Sequence, residues 1–356
     1  EIGYRASERI RALTELELER RVIVSRGRDR SPESYRTELN LKQLYLDLEL
    51  ENVAEGLAVR VGRQEFQDRR EWLYDEELDG MRVFYRLDRL SLELSASRER
   101  LFTENLLEAE ESEDLINNYV LRGSYWPTTN HQLSAYTLVR DNISDDSENP
   151  IFYGLSASGA VADPFDYWLE LAHVRGRDNS KRLRGHGFDI GGIYRIGASW
   201  QPSLTLGYAF GSGDSSSDNN VDRRFRQTGL EDNSHRFNGV ENFRYYGETL
   251  NPELSNLSIL TAGFGIRPSR RSSVDLVYHR YHQDVATSGR IEGARIRASA
   301  NGDSRDVGRA VDLILGYHDI PGLRLRAKLG YFMPGKAFGD AAEDAYSVEL
   351  GFEYNF

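Results

Sequence analysis

Residues 345–356 read AYSVELGFEYNF, with Val348, Leu350, Phe352, Tyr354 and Phe356 at every second position. Ser347, Glu349, Gly351, Glu353 and Asn355 stand between them. Successive side chains of a strand point to opposite faces, so this stretch has one apolar and one polar face. It ends on an aromatic residue, as expected of the closing strand of a barrel. Earlier segments should then repeat the alternation, and the expected partner is the first such run, residues 9–24, or a strand ahead of Glu1.

The repeat runs through the chain. After 9–24 come 35–50, 57–66, 80–87, 90–97, 118–126, 133–140, 151–161 and 165–174. Then follow 187–196, 203–211, 257–266, 273–281, 309–318, 323–332 and the terminal run. These are about sixteen segments, many near the ~9–11 residues of a tilted membrane strand. In 35–50 the phase slips at Lys42 and Gln43, which predicts a bulge. Alternate gaps are short and rich in Gly, Pro, Asn and Asp, namely 51–56, 88–89, 127–132, 163–164, 197–202, 268–272 and 319–322. The others are longer and polar: 25–34, 67–79, 98–117, 141–150, 175–186, 212–256, 282–308 and 333–344. Short turns at one end and long loops at the other are the pattern of outer-membrane barrels. The expectation is an all-β, antiparallel up-and-down transmembrane barrel. Residues 1–356 would form a single domain with long outer loops at 212–256 and 282–308.

Composition agrees with this. Mean hydropathy is −0.59 and hydrophobic content 39%, and no run approaches the ~18 apolar residues of a membrane helix. Twenty Tyr and fifteen Phe suit aromatic girdles. The absence of Cys excludes disulfides and thiol chemistry. Any secretory signal is expected to have been removed or to lie outside the chain shown. The net charge of −12 is carried by three stretches, 66–77, 98–115 and 141–149, which leaves the remainder neutral and arginine-rich. No outer basic patch for nucleic acid is evident.

A cation facing lipid near the midplane of a barrel costs ~2–4 kcal/mol, so charged strand residues should face the lumen. This turns Arg60, Arg82, Arg86, Arg122, Arg140, Arg195, Arg324, Arg326 and Lys328 inward. The acids Glu15, Glu17, Asp47, Glu49, Glu93, Asp189, Asp275, Asp312, Glu349 and Glu353 turn inward with them. One reading is a set of Arg–carboxylate ladders that stiffen the wall; the other is an anion path, since rings of Arg or Lys select anions in pores. In the loop at 222–256, Arg226, Arg236 and Arg244 alternate with aromatic residues and are candidates for contacts in the pore. Possible catalytic dyads are His279 or His282 with Asp284, and His318 with Asp319. Such adjacency is close to chance in a chain this acidic, so no catalytic residue and no enzyme is expected. Residues 214–220 (DSSSDNN) read as a polar loop rather than a calcium site, so no metal and no cofactor is expected.

The segments RQTGLEDN (226–233), FNG (237–239), YGE (246–248) and PELSN (252–256) resemble one loop of the alginate export porin family. VRVGRQEF (59–66), LVYHRY (276–281) and LRAKLGYFMPGKAFG (325–339) extend the resemblance over most of the chain. It implies a monomeric, eighteen-stranded outer-membrane barrel with an electropositive lumen that exports an anionic exopolysaccharide. It places lumen cations on Arg60, Arg326 and Lys328. Where the family carries a basic residue before the PELSN-like motif, this chain has Asn251. Implied partners are the polysaccharide, outer-membrane lipid and lipopolysaccharide, and a periplasmic synthesis or secretion protein. The alternative is an uptake porin for small anions or sugars.

Overall fold

Alternating sequence becomes extended strand almost throughout. The computed structural model describes residues 2–23, 34–99, 101, 106–107, 115–144, 148–216, 220–339 and 342–355. In chain order the strands are β1 (Ile2–Ser7), β2 (Ile10–Ile23), β3 (Ser34–Glu49), β4 (Leu57–Gln67), β5 (Asp75–Arg86), β6 (Leu90–Arg98), β7 (Ile116–Thr128) and β8 (His131–Asn142). They continue with β9 (Glu148–Ala162), β10 (Phe165–Asp178), β11 (Lys181–Arg195), β12 (Ser203–Gly211), β13 (Val221–Asp222), β14 (Ser234–His235) and β15 (Phe243–Arg244). The last are β16 (Leu257–Ser269), β17 (Ser272–Gln283), β18 (Ser288–Arg290), β19 (Ser299–Asn301), β20 (Asp306–Tyr317), β21 (Leu323–Pro334) and β22 (Ala345–Tyr354). Lys336–Phe338 forms one 3-10 turn.

The main sheet has eighteen strands, and β14–β15 and β18–β19 are separate two-stranded ribbons. Chain neighbours pair antiparallel, as in β2–β3, β10–β11 and β21–β22. β12 pairs with β16 and β17 with β20, across the two segments that carry the short strands. β13 lies parallel to β11.

Two units can be described separately. The first comprises Glu1–Phe66, Glu76–Gly123 and Thr137–Asn149; the second comprises Gln67–Asp75, Ser124–Tyr136 and Pro150–Phe356. In both, one strand face is open and apolar. Tyr119 and Leu121 are 45% and 57% exposed while Val120 is buried, and Leu204 and Leu206 are 51% and 62% exposed between buried Ser203, Thr205 and Ala209. Small polar residues buried and leucines exposed is the inverse of a soluble sheet. It is the arrangement of a lipid-facing wall.

Two expectations change. Residues 9–24 do not begin the sheet, because β2 is flanked by β1 as well as β3. Residues 175–186 are not a long loop: β10 and β11 pair without interruption to Asp178↔Lys181, leaving Asn179 and Ser180 as the turn. The slip at Lys42 is present. Glu15 opposes Gln43 and Leu16 opposes Leu41, so Lys42 is the extra residue. Much of the acidic stretch 98–115 lies outside the described residues.

Candidate functional site

The face opposite the open apolar one is called the inner face below. It carries the strand cations that parity turned inward, and most of them have a carboxylate partner. In the first unit Arg60 Nε and one amino nitrogen donate to Asp47 at 2.7 and 3.0 Å, with the guanidinium 4.0 Å from the Tyr45 ring. Arg82 donates to Glu93 at 2.8 Å and to the Glu65 carbonyl at 2.9 Å, and stacks on Phe66 and Phe84. Arg86 is exposed and lies 4.9 Å from the Phe84 ring. Arg140 donates to Glu99 at 2.8 Å. Arg122 is half-buried, on the same side of β7 as buried Val120 and Ser124.

In the second unit Arg195 holds Asp166 with both amino nitrogens, one at 2.9 Å. Arg324, Arg326 and Lys328 stack along β21 opposite Leu325, Ala327 and Leu329. Their partners are acids of β22 and, for Lys328, also Glu248 of the segment 212–256. Arg324 lies 3.6 Å from Glu353, and Arg326 lies 3.4 Å from Glu349. Lys328 lies 3.4 Å from Glu349 and 3.9 Å from Glu248. Side-chain exposure is 58% at Arg324 and 50% at Arg326, falling to 15% at Lys328.

Two connecting segments of this unit fold onto its inner face. Residues 212–256 bury Phe225, Leu230, Phe243, Tyr245, Tyr246, Leu250 and Leu254. Residues 67–75 bury Arg70, Trp72, Leu73 and Tyr74 against them. At the centre Arg70 donates to Asp189 at 3.1 Å, with Trp168 and Tyr245 rings 4.4 and 4.3 Å from its guanidinium. Asp189 also accepts from Trp168 Nε1 at 2.8 Å and from the Tyr246 hydroxyl at 3.1 Å. The Trp72 indole donates to Tyr246 at 3.0 Å, and Tyr245 donates to the Arg70 carbonyl at 3.0 Å. Cation–π stacking and five charge-assisted or aromatic donors hold this node. Parity marked Asp189; nothing in the sequence marked Arg70.

The loop motifs are the fasteners of that packing. In RQTGLEDN, Gln227 and Asn233 exchange amide hydrogen bonds at 2.9 and 3.1 Å, and Thr228 donates to the Leu73 carbonyl at 2.5 Å. The Leu230 carbonyl receives the Asp75 amide at 2.6 Å. In YGE, Gly247 has φ +111°, and a Cβ there would lie 2.2 Å from Tyr281 Oη, which itself donates to the Tyr246 carbonyl at 2.8 Å. Asn256 of PELSN accepts from the Val285 amide at 2.8 Å and donates to the Val285 carbonyl at 2.9 Å.

Of the loop arginines, Arg226 bridges Asp178 and Asp222 at 2.6 and 3.1 Å, and Arg244 meets Asp232 at 2.8 Å. Arg236 is exposed and has no ion pair among the described residues. These three are therefore dispersed rather than gathered at one point. Toward the loop end a cavity of about 260 Å³ is lined by Lys181, Arg224 and Arg290 together with Asp214, Asp222 and Glu292.

Glu71, Asp75 and Asp232 bring their carboxylates within 4.8 Å of one another. Burial, then the charges of Asp75 and Asp232, push Glu71 up to about 8. This is the spacing of a cation site, but a carboxyl raised that far holds a proton at neutral pH. Burial and neighbouring Arg70 and Arg69 push His235 down to about 3, so it is neutral.

The histidine dyads read from sequence are not the ones formed. His279 sits between Thr261 at 3.0 Å and Asp312 at 3.3 Å, not with Asp284. All three are sealed from solvent, and Asp312 also accepts the Glu248 amide at 3.2 Å. His318 meets Glu241 rather than Asp319.

The sequence model of a family described as alginate export matches residues 3–351. The alginate production protein AlgE of Pseudomonas aeruginosa is 28% identical over 233 residues, 53% of this chain and 45% of that protein. The match thus spans less than half of that relative. Among solved structures, Pseudomonas aeruginosa OccK7 (OpdD) has a TM-score of 0.60 at 14% identity, covering 97% of this chain and 85% of that one. The outer membrane protein OprD of the same organism has a TM-score of 0.52 at 11% identity, covering 90% and 78%. At such identities both structures speak to fold alone.

Proposed function

Because the chain belongs to the alginate export family, we propose that it is a passive channel through which an anionic polysaccharide of the alginate type leaves the cell. It is a β-barrel of the bacterial outer membrane, and family and fold are those of channels. The reading takes residues 1–356 as one monomeric barrel domain with 212–256 and 282–308 on the outer side. A periplasmic synthesis or secretion protein would deliver the polymer, and polymer growth would supply the drive.

The observation that carries this reading is the stack Arg324–Arg326–Lys328. Arg324 and Arg326 are half-exposed, and their carboxylate partners stand 3.4–3.6 Å away at 45–49% exposure. Ion pairs this open contribute ~0–1 kcal/mol. A uronate carboxylate can therefore replace Glu349 or Glu353 at little cost and be released as readily. A row of weak, exchangeable sites lets a polymer enter and slide. Arg60, with a tighter bidentate partner, and Arg86, with none among the described residues, extend the inner-face cations in the first unit. Arg122, Arg140 and Arg195 complete the proposed path, and Arg226, Arg236 and Arg244 lie on the loop that would bound it.

Planar-bilayer recording tests this. The expected result is anion selectivity with block by micromolar-to-millimolar polyuronate oligomers. Equal passage of both ion signs with no polymer block would contradict it, and block by small sugars or anions alone would favour an uptake porin.

A further inference from the structure

The hairpin β10–β11 carries a second charged surface on its outer face, where the sequence pattern suggested no basic patch. Along β10 the buried residues Trp168, Glu170, Ala172 and Val174 alternate with Leu169, Leu171, His173, Arg175 and Arg177. Along β11 buried Leu183 and Asp189 alternate with Arg182, Arg184, His186, Phe188 and Ile190. Register sets Arg177 opposite Arg182, Arg175 opposite Arg184 and His173 opposite His186. All four arginines are exposed. No carboxylate lies within ion-pair distance of any of them among the described residues. Within the ladder Arg175 donates a hydrogen bond to His173 at 3.2 Å.

Like charges directly opposite across two strands are destabilising. Two such pairs in succession, without an acid between them, call for an anion from outside the chain. The ladder stands immediately above the apolar belt of the same face. Leu171 opposes Phe188, Leu169 opposes Ile190, and Phe165 opposes Tyr194 nearer the short-turn end. It is at the end where the strands run into the long loops, which in an outer-membrane barrel is the outer leaflet. Beside it lies an open groove of about 540 Å³, lined by Tyr153, Leu155, Leu171, His173, His186 and Phe188, with an almost entirely apolar wall.

We propose that this outer face binds a phosphorylated glycolipid of the outer leaflet, of the lipid A type. Its phosphates sit among Arg175, Arg177, Arg182 and Arg184, and an acyl chain lies in the groove below. Guanidinium forks match phosphate oxygens bidentately, and the spacing of charge above grease is that of a lipid headgroup above its chains. A free anion would satisfy the arginines but leave the groove open, whereas the lipid fills both. The site is independent of the inner face and of what the channel carries.

The test uses the full chain, purified in a zwitterionic detergent and titrated with lipid A while native mass spectrometry counts bound lipid. The triple variant Arg177→Gln, Arg182→Gln, Arg184→Gln should bind lipid A about a hundredfold more weakly, with unchanged heat-modifiable gel mobility reporting a folded barrel. Lipid A stripped of its phosphates should bind wild type as weakly as intact lipid A binds the variant. Millimolar inorganic phosphate should displace little lipid, because it cannot occupy the groove. Equal lipid A binding by wild type and variant would overturn the proposal. So would tight binding of the dephosphorylated lipid, or full displacement by inorganic phosphate. Arg89→Gln, at an exposed short turn, serves as the charge control and should bind like wild type.

Discussion

Two sets of arginine–carboxylate pairs in the second unit behave oppositely. Arg70 and Asp189 are 4% exposed, 3.1 Å apart and enclosed by Trp168, Tyr245 and Tyr246. Arg324 and Arg326 are 58% and 50% exposed and meet their acids at 3.6 and 3.4 Å. A buried pair has lost its water, so each charge depends on the other. An open pair keeps its water and can change partner. Arginine on the inner face is therefore not one kind of residue: burial decides whether its carboxylate partner is fixed or exchangeable.

Removing one member of the buried pair should produce the largest effect. Arg70→Ala strands Asp189 and should cost ~3–5 kcal/mol of the packing of 67–75 onto 212–256. Hydrogen exchange in those two segments reads the loss; unchanged protection would show that the node is not the fastener. Gly247→Ala should come next. It puts a Cβ at φ +111° and 2.2 Å from Tyr281 Oη, so strain and clash together should cost ~1–3 kcal/mol. The same exchange measurement should show loosening at 246–250 ahead of 67–75.

A smaller, pH-dependent change is expected at Glu71. Its carboxyl is raised from 4.5 to about 8 by burial, then by Asp75 and Asp232. A raised folded value means the packing is favoured while the group is protonated. That stabilisation is complete below pH 4.5 and is lost as pH rises through about 8. Exchange protection of 67–75 should therefore fall between about pH 4.5 and 8 in wild type, level off above that, and stay level throughout in Glu71→Gln. A flat wild-type profile would remove Glu71 from the packing. The smallest effect on stability should follow charge reversal at the open stack, where Arg326→Glu should shift unfolding by ~0–1 kcal/mol.

The strand pattern was legible because one physical rule governs it. Lipid admits no charge, so alternation and inward-turned cations follow from residue type, and even the extra residue at Lys42 shows as a slipped phase. The same rule misplaced residues 175–186. KRLRGHG (181–187) has charges where an apolar face was sought, yet it is strand, because its outer residues have passed beyond the apolar belt. The packing of 67–75 onto 212–256 was legible only in part. The motifs of 226–256 pointed to an important loop, but Arg70 meets Tyr245 across 175 residues of chain, and no local period records such a contact. His279 likewise finds Asp312 on a neighbouring strand instead of Asp284 nearby in sequence.

The central claim is that the open stack faces the passenger. Its most direct test is the reversal potential of the channel under a salt gradient, in wild type and in Arg324→Glu, Arg326→Glu, Lys328→Glu, with and without a polyuronate oligomer. Wild type should favour anions and be blocked by the oligomer, whereas the variant should lose or reverse the preference and escape block. The same reversal potential and the same block in both would contradict the account.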